Sequence, residues 1–192
     1  VRLNKSIILT GPNAAGKTTL VKAVATSILL SQQFGVGSYK NCTLNPYAHV
    51  RTYINIPDTC ERCSLFEAEA KRCKEIIDAV GTGDRIFCVF DELFSGTNKD
   101  EACAAGIAFV THLSEHDNVD FLLTTHLTEL PLANKENKKT RNMKMKVGRR
   151  GTTSIPTFKV AKGINKVYGG INVLVNMKFP PELILAARSQ VR

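Results

Sequence analysis

Apolar and polar positions along the chain follow two periods. SIILT (6–10), IFCVF (86–90) and FLLTT (121–125) are short apolar runs, the signature of strands covered on both faces. Val50, Thr52, Ile54 and Ile56 alternate with Arg51, Tyr53 and Asn55, which predicts a half-exposed strand ended by Pro57. Helical spacing predicts a helix from about Gly16 to Leu30 that stops near Gly35. In SLFEAEAKRCKEII (64–77), Ser64 is placed as an N-cap with Glu67 closing a capping box. Phe66, Ala70, Cys73, Ile77 and Val80 then form one apolar stripe, and Gly81 and Gly83 end the helix. Asn98 with Glu101 makes a second capping box, before a helix carrying Cys103, Ile107, Val110 and Leu113. Met143, Met145 and Val147 alternate with Lys144 and Lys146 in a basic hairpin, and a last helix runs from Pro181 to about Ser189. Buried strands alternating with helices predict an α/β fold: a mostly parallel sheet flanked by helices, with an antiparallel β-hairpin near the C-terminal end.

Composition narrows the class. At 192 residues and 43% hydrophobic, the chain is expected to form one domain over 1–192. It starts Val-Arg, which reads as a piece of a longer protein. No stretch approaches the ~20 apolar residues of a membrane span, and no signal-peptide pattern is present. An intracellular protein without a membrane partner is expected. Three of the six cysteines (73, 88 and 103) fall on apolar helix or strand positions, as reduced buried thiols do. Cys60-x-x-Cys63 has no second Cys/His pair at finger spacing, so no metal is expected there. The net charge of +9 owes much to Lys135–Arg150, with eight Lys/Arg against one Glu. No aromatic residues interleave there for base stacking, so a solvated hairpin is favoured over a nucleic-acid surface.

The candidate chemistry starts at GPNAAGKT (11–18), which fits G-x-x-x-x-G-K-[ST] between a strand and a helix. The glycines would let the loop of Gly11, Pro12, Asn13, Ala14, Ala15 and Gly16 turn its backbone N–H groups, which Pro12 lacks, around phosphate oxygens, joined by Lys17, Thr18 and Thr19. Lys17 reaches the β- and γ-phosphates, and the Thr18 hydroxyl holds Mg²⁺. The helix that follows points its positive end at the same anion. Asp91 leaves a buried strand at the sheet edge where ligands of such folds bind, placed to hold the shell of the metal. Glu92 is placed to polarise an attacking water, and His126, closing TTH (124–126), to donate to the γ-phosphate or that water.

These motifs, in this order, resemble the ATPase domain of the MutS family over nearly the whole chain. TGPNAAGKTTL looks like the family's Walker A, SLFEAE like its Ser/Thr-x-Phe-x-x-Glu segment, and FDELFSGTN like its Walker B with the following loop. TTHLTEL and VYGGINVLVNMKFPPELILAAR are similar to its later segments. The resemblance implies a P-loop NTPase of the ABC-ATPase type using ATP and Mg²⁺. It also implies head-to-tail dimers, with an identical copy or a MutS-like paralogue, in which Ser64 faces the γ-phosphate held by the other subunit. Ser95, Gly96, Thr97 and Asn98 would form the loop crossing the dimer interface. Double-stranded DNA would be held by domains outside this chain, and a MutL-like partner is implied. Ala14-Ala15 in place of Met-Gly, Thr18 in place of Ser, and Leu93-Phe94-Ser95 in place of Ile-Gly-Arg point to a divergent branch, of the organellar or viral sort.

Three readings follow from the sequence. The first is the ATP-hydrolysing switch of a MutS-like mismatch repair protein. The second is a relative that holds recombination junctions without recognising mismatches. The third is a nucleotide-dependent dimerisation module that does not hydrolyse, against which Glu92 speaks. The Ser64 hydroxyl serves either as a cap alone or as a cap that also meets a ligand.

Overall fold

The computed structural model describes residues 3–56, 64–150, 153–165 and 169–190. Three fully covered strands carry the centre: β1 (Ser6–Thr10), β3 (Ile86–Asp91) and β4 (Val119–Thr125). With β2 (His49–Tyr53), β5 (Thr140–Arg150) and β6 (Thr153–Lys162) they form a six-stranded mixed sheet of order β2-β3-β4-β1-β5-β6. All neighbours run parallel except β5 and β6, which pair antiparallel with an irregularity between Met145 and Val147. The predicted α/β sheet and its closing hairpin are both present.

Period-two alternation inside the buried runs divides the core between the sheet's faces. Ile8, Cys88, Phe90, Phe121 and Leu123 join side chains of α2 (Leu65–Val80) and α3 (Lys99–Glu115). Ile7, Leu9, Phe87, Val89 and Leu122 join those of α1 (Lys17–Phe34) on the other face. Phe90 anchors the first cluster, its ring 5.4 Å from Phe109 and 6.5 Å from Phe121 in edge-on contacts. Cys73, Cys88 and Cys103 are buried free thiols, as their apolar positions predicted, and Cys42 is free and exposed. Burial pushes the Cys73 and Cys88 thiols up to about 12, so both stay neutral and unreactive.

The structure corrects several boundaries and faces. The helix expected to run to Leu30 continues one turn further, and Gly35 caps it in the left-handed conformation. β2 stops at Tyr53, and Tyr53 turns inward to 1% exposure while Thr52 is exposed. The alternation placed them the other way, because a tyrosine with a buried hydroxyl partner counts as apolar. On α2 the buried face comprises Glu69, Cys73, Ile76 and Val80, rotated from the predicted stripe toward an acid that sequence pattern scores as polar. Short α4 (Glu129–Ala133) and α5 (Gly169–Asn176) have no periodicity that announces them. α6 (Pro181–Gln190) starts where proline predicted, and among its described side chains none is buried. Val173 on α5, Met177 directly after it, and Leu183 and Leu185 on α6 stand exposed. Among the described residues, no helix is long and apolar enough to cross a membrane. Pro57, Cys60-x-x-Cys63 and Tyr168 lie outside the described residues.

Candidate functional site

Parallel register brings the C-terminal ends of three strands to one edge. Thr10 on β1 stands opposite Thr125 on β4, and Thr124 on β4 opposite Asp91 on β3. The 11–16 loop leaves β1 at this edge and enters α1. Ala14 and Gly16 take positive φ (59° and 90°), which turns the loop back on itself, with the Ala15 amide donating to Pro12 O at 3.3 Å. Gly11 leaves room for Met145 of the hairpin: an added Cβ would lie 3.0 Å from the Met145 side chain. β5 thus forms a floor beneath the loop, and Asn165 locks it by donating its amide to Thr10 Oγ1 at 2.7 Å and its side chain to Met145 O at 3.1 Å.

The three large helices begin differently. Ser64 Oγ accepts from Glu67 N–H at 3.3 Å, and Asn98 Oδ1 accepts from Glu101 N–H at 3.0 Å, so the serine and asparagine halves of both predicted boxes form. The N-cap of α1 is Gly16, and no side chain caps it. Its first-turn amides therefore remain available where the helix dipole is positive, the arrangement that suits an anion.

The side chains singled out by sequence converge here. Lys17 is buried and donates to Gly11 O at 2.8 Å and Pro12 O at 3.2 Å, while its Nζ lies 3.0 Å from Glu92 Oε1. Thr18 Oγ1 donates to Asp91 Oδ2 at 2.6 Å. His126 meets Glu92 Oε2 through its backbone amide at 3.2 Å and its ring Nδ1 at 2.6 Å. Asn13, Ala14 and Thr19 are exposed on the outer side of the loop and first turn. Ser64 is exposed at the start of α2, on a different element from the Lys17–Glu92–His126 group.

Electrostatics within the group have clear directions. Burial pushes the Glu92 carboxyl up, but the hydrogen bond from His126 and the charge and hydrogen bond of Lys17 outweigh it. The net result is a carboxylate held below its usual range. An ionised carboxylate only accepts hydrogen bonds, so His126 Nδ1 carries the proton. The hydrogen bond to Glu92 raises the imidazole above its ordinary value, against a partial opposing effect of burial. This interaction stabilises the fold fully below the unfolded-state histidine pKa and is lost as pH rises through the raised folded one. A histidine NMR titration should therefore find His126 titrating above the ordinary value, and Glu92→Gln should return it downward. A wild-type His126 that titrates at or below the ordinary value would contradict the pairing.

Three residues here escaped the sequence reading. Thr124 is fully buried, donates to Asp91 Oδ1 at 2.6 Å, and its hydroxyl accepts the Glu92 amide at 3.2 Å. It fixes the acid pair from behind, and the only signal was its place in TTH. Glu69 is buried on α2 and binds the loop that follows Glu92. The signal was an acid at the end of SLFEAE that the apolar stripe passed over. Phe158 on β6 is 70% exposed with φ 55°, and its ring lies beside Gly16, where an added Cβ would be 3.1 Å from Cδ1. A ring left in water against a glycine-rich loop offers a flat apolar face to a ligand.

Fold and site together define an α/β protein with a mixed sheet whose open edge gathers a basic, glycine-turned loop and a pair of acids. The family model for MutS domain V matches residues 7–192, and the chain belongs to the MutS family. It is 32% identical to the DNA mismatch repair protein MutS of Persephonella marina over 84% of this chain and 19% of that protein. It is 27% identical to endonuclease MutS2 of Fusobacterium nucleatum, over 96% of this chain and 23% of the relative. MutS protein homolog 4 of Mus musculus is 28% identical over 95% of this chain and 20% of its own length. The chain thus spans about a fifth to a quarter of the length of these curated relatives.

Proposed function

We propose that the chain is the ATP-binding and hydrolysing domain of a MutS-like DNA repair protein, a P-loop NTPase of the ABC-ATPase type. The observation that carries this reading is the meeting of the start of α1 with the end of β3, Lys17 with Glu92 and Thr18 with Asp91, each within hydrogen-bonding distance. The uncapped start of α1 and the Lys17 ammonium suit the phosphates of a nucleotide. Gly11, Pro12, Asn13, Ala14, Ala15, Gly16, Lys17, Thr18 and Thr19 supply that cradle. Phe158 gives the base an apolar face beside Gly16.

A hydroxyl and a carboxylate oxygen 2.6 Å apart form a hard-oxygen donor pair of the kind Mg²⁺ takes. Thr18 and Asp91 are the residues that would hold it, and when bound it would supply neutralisation of phosphate charge. Thr124 keeps Asp91 aimed at that position. Lys17 exchanges its contact with Glu92 for phosphate, which frees the carboxylate. Glu92, already ionised, then orients and polarises water, and His126 steadies its second oxygen and offers its ring as a hydrogen-bond donor.

Two copies, or this chain and a MutS-like paralogue, complete the site head to tail. Ser64 of one would meet the γ-phosphate held by the other, and Ser95, Gly96, Thr97 and Asn98 would lie along the shared face. Exposed apolar side chains on α5 and α6 support burial against further protein. The whole chain acts as one domain of a longer intracellular protein, with double-stranded DNA and a MutL-like partner engaged by other parts. The names of the relatives support repair. The matches to an endonuclease MutS2 and to MutS protein homolog 4, whose names do not carry mismatch repair, leave a MutS-related role without mismatch recognition as the second reading.

Ser64→Ala in the parent protein should leave ATP affinity within about twofold and lower turnover about tenfold or more. Mixing Ser64→Ala with Glu92→Gln chains should restore part of the activity, because one of the two composite sites is then intact. Absence of any rescue, with mixed dimers shown to form, would leave Ser64 as a cap only.

A further inference from the structure

Glu69 is 1% exposed, yet its carboxylate faces donors that belong to another segment. Ser95 N–H reaches Oε1 at 3.0 Å, Ser95 Oγ donates to the same oxygen at 2.8 Å, and Gly96 N–H reaches Oε2 at 3.0 Å. The Tyr53 hydroxyl oxygen accepts Phe94 N–H of the same loop at 3.1 Å. A carboxylate taken out of water is costly unless its lone pairs are filled, and here both oxygens are.

Apolar contacts already cover this loop. The Phe94 ring lies 5.7 Å from Phe66 and 6.2 Å from Phe109. The carboxylate adds direction: it fixes the 95–96 backbone against the first turns of α2. Contact there is backbone to backbone, since a Cβ on Gly96 would lie 2.7 Å from Phe66 N. Glu69 stands five residues after Ser64, and Ser95 three residues after Glu92. Positive φ at Glu92 and Phe94 (both 56°) leaves the intervening chain tightly turned, with little slack between the anchor and the acid.

We propose that Glu69 is a positioning residue that couples the Glu92 end of β3 to the Ser64 end of α2, so that nucleotide engaging one resets the other. The inference rests on the nucleotide reading above. It assigns the coupling to one side chain that touches neither phosphate nor water.

The test is hydrogen exchange on the full-length parent protein, with and without a non-hydrolysable ATP analogue and Mg²⁺, alongside steady-state ATPase kinetics. In wild type the analogue should slow exchange across 11–19, and also across 64–68 and 94–97. Glu69→Gln keeps the volume but presents an amide where two backbone N–H groups need acceptors. It should retain the 11–19 response and a KM within about threefold, while losing the 64–68 response and about tenfold or more in kcat. Ser95→Ala, which removes one contact and leaves the backbone intact, should weaken the 64–68 response in the same selective way, so the test does not hang on one variant.

Wild-type 64–68 response and kcat in both variants would overturn the proposal. So would an equal loss of protection in every segment, which would make Glu69 a buried stabilising group only. No response at 11–19 in wild type would instead remove the nucleotide reading, and this inference with it.

Discussion

Lys17→Ala should abolish useful ATP binding, weakening affinity by about a hundredfold or more, with hydrolysis lost in parallel. The size follows from where the ammonium sits. It is buried, at the base of a helix that no side chain caps, and its three protons go to Gly11 O, Pro12 O and Glu92. No other lysine or arginine contact to Glu92 is present among the described residues, so alanine leaves the loop without its fixed positive charge. Isothermal titration or fluorescent-nucleotide binding measures the loss. Because Lys17 also ties together the ends of its own loop, thermal unfolding should be read beside it. A well-folded Lys17→Ala protein that binds ATP as wild type does would place the nucleotide elsewhere.

Glu92→Gln should separate binding from turnover. Hydrolysis should fall by about a hundredfold to a thousandfold, the range for removing a group that acts on the reacting water. Affinity should hold or tighten, since glutamine releases the ionic grip on Lys17 for which phosphate must compete. The same change removes the ionised partner of His126, so the imidazole titration and the ATPase rate should shift together in one variant. Single-turnover hydrolysis with a parallel binding curve gives both numbers. Equal activity of wild type and Glu92→Gln would instead support the dimerisation module that does not hydrolyse.

Much of this candidate site was legible because its parts lie close together in the sequence. A loop that turns tightly between a strand and a helix needs glycine and small residues, and GPNAAGKT shows that in eight consecutive letters. Asp91 and Glu92 follow a run so apolar that its position inside the sheet, and thus their place at the sheet edge, could be inferred. What stayed hidden depends on partners distant in the chain. Thr124 matters only because β4 lies between β1 and β3, and the strand order is not written in any local pattern. Glu69 reads as polar in the sequence because its partners, Ser95 and Gly96, lie 26 and 27 residues away. Phe158 gained its place from the pairing of β5 with β1, which carries the hairpin under the loop. The alternation in β2 puts Tyr53 on the outer face for the same reason: its hydroxyl is satisfied by the Phe94 amide, 41 residues on.

The most direct measurement is a crystal structure of the parent protein with a non-hydrolysable ATP analogue and Mg²⁺. The expected result has the phosphates inside the 11–19 loop, Lys17 moved from Glu92 onto them, and the metal on Thr18 beside Asp91. A nucleotide bound away from this loop, with Lys17 still paired to Glu92, would contradict it.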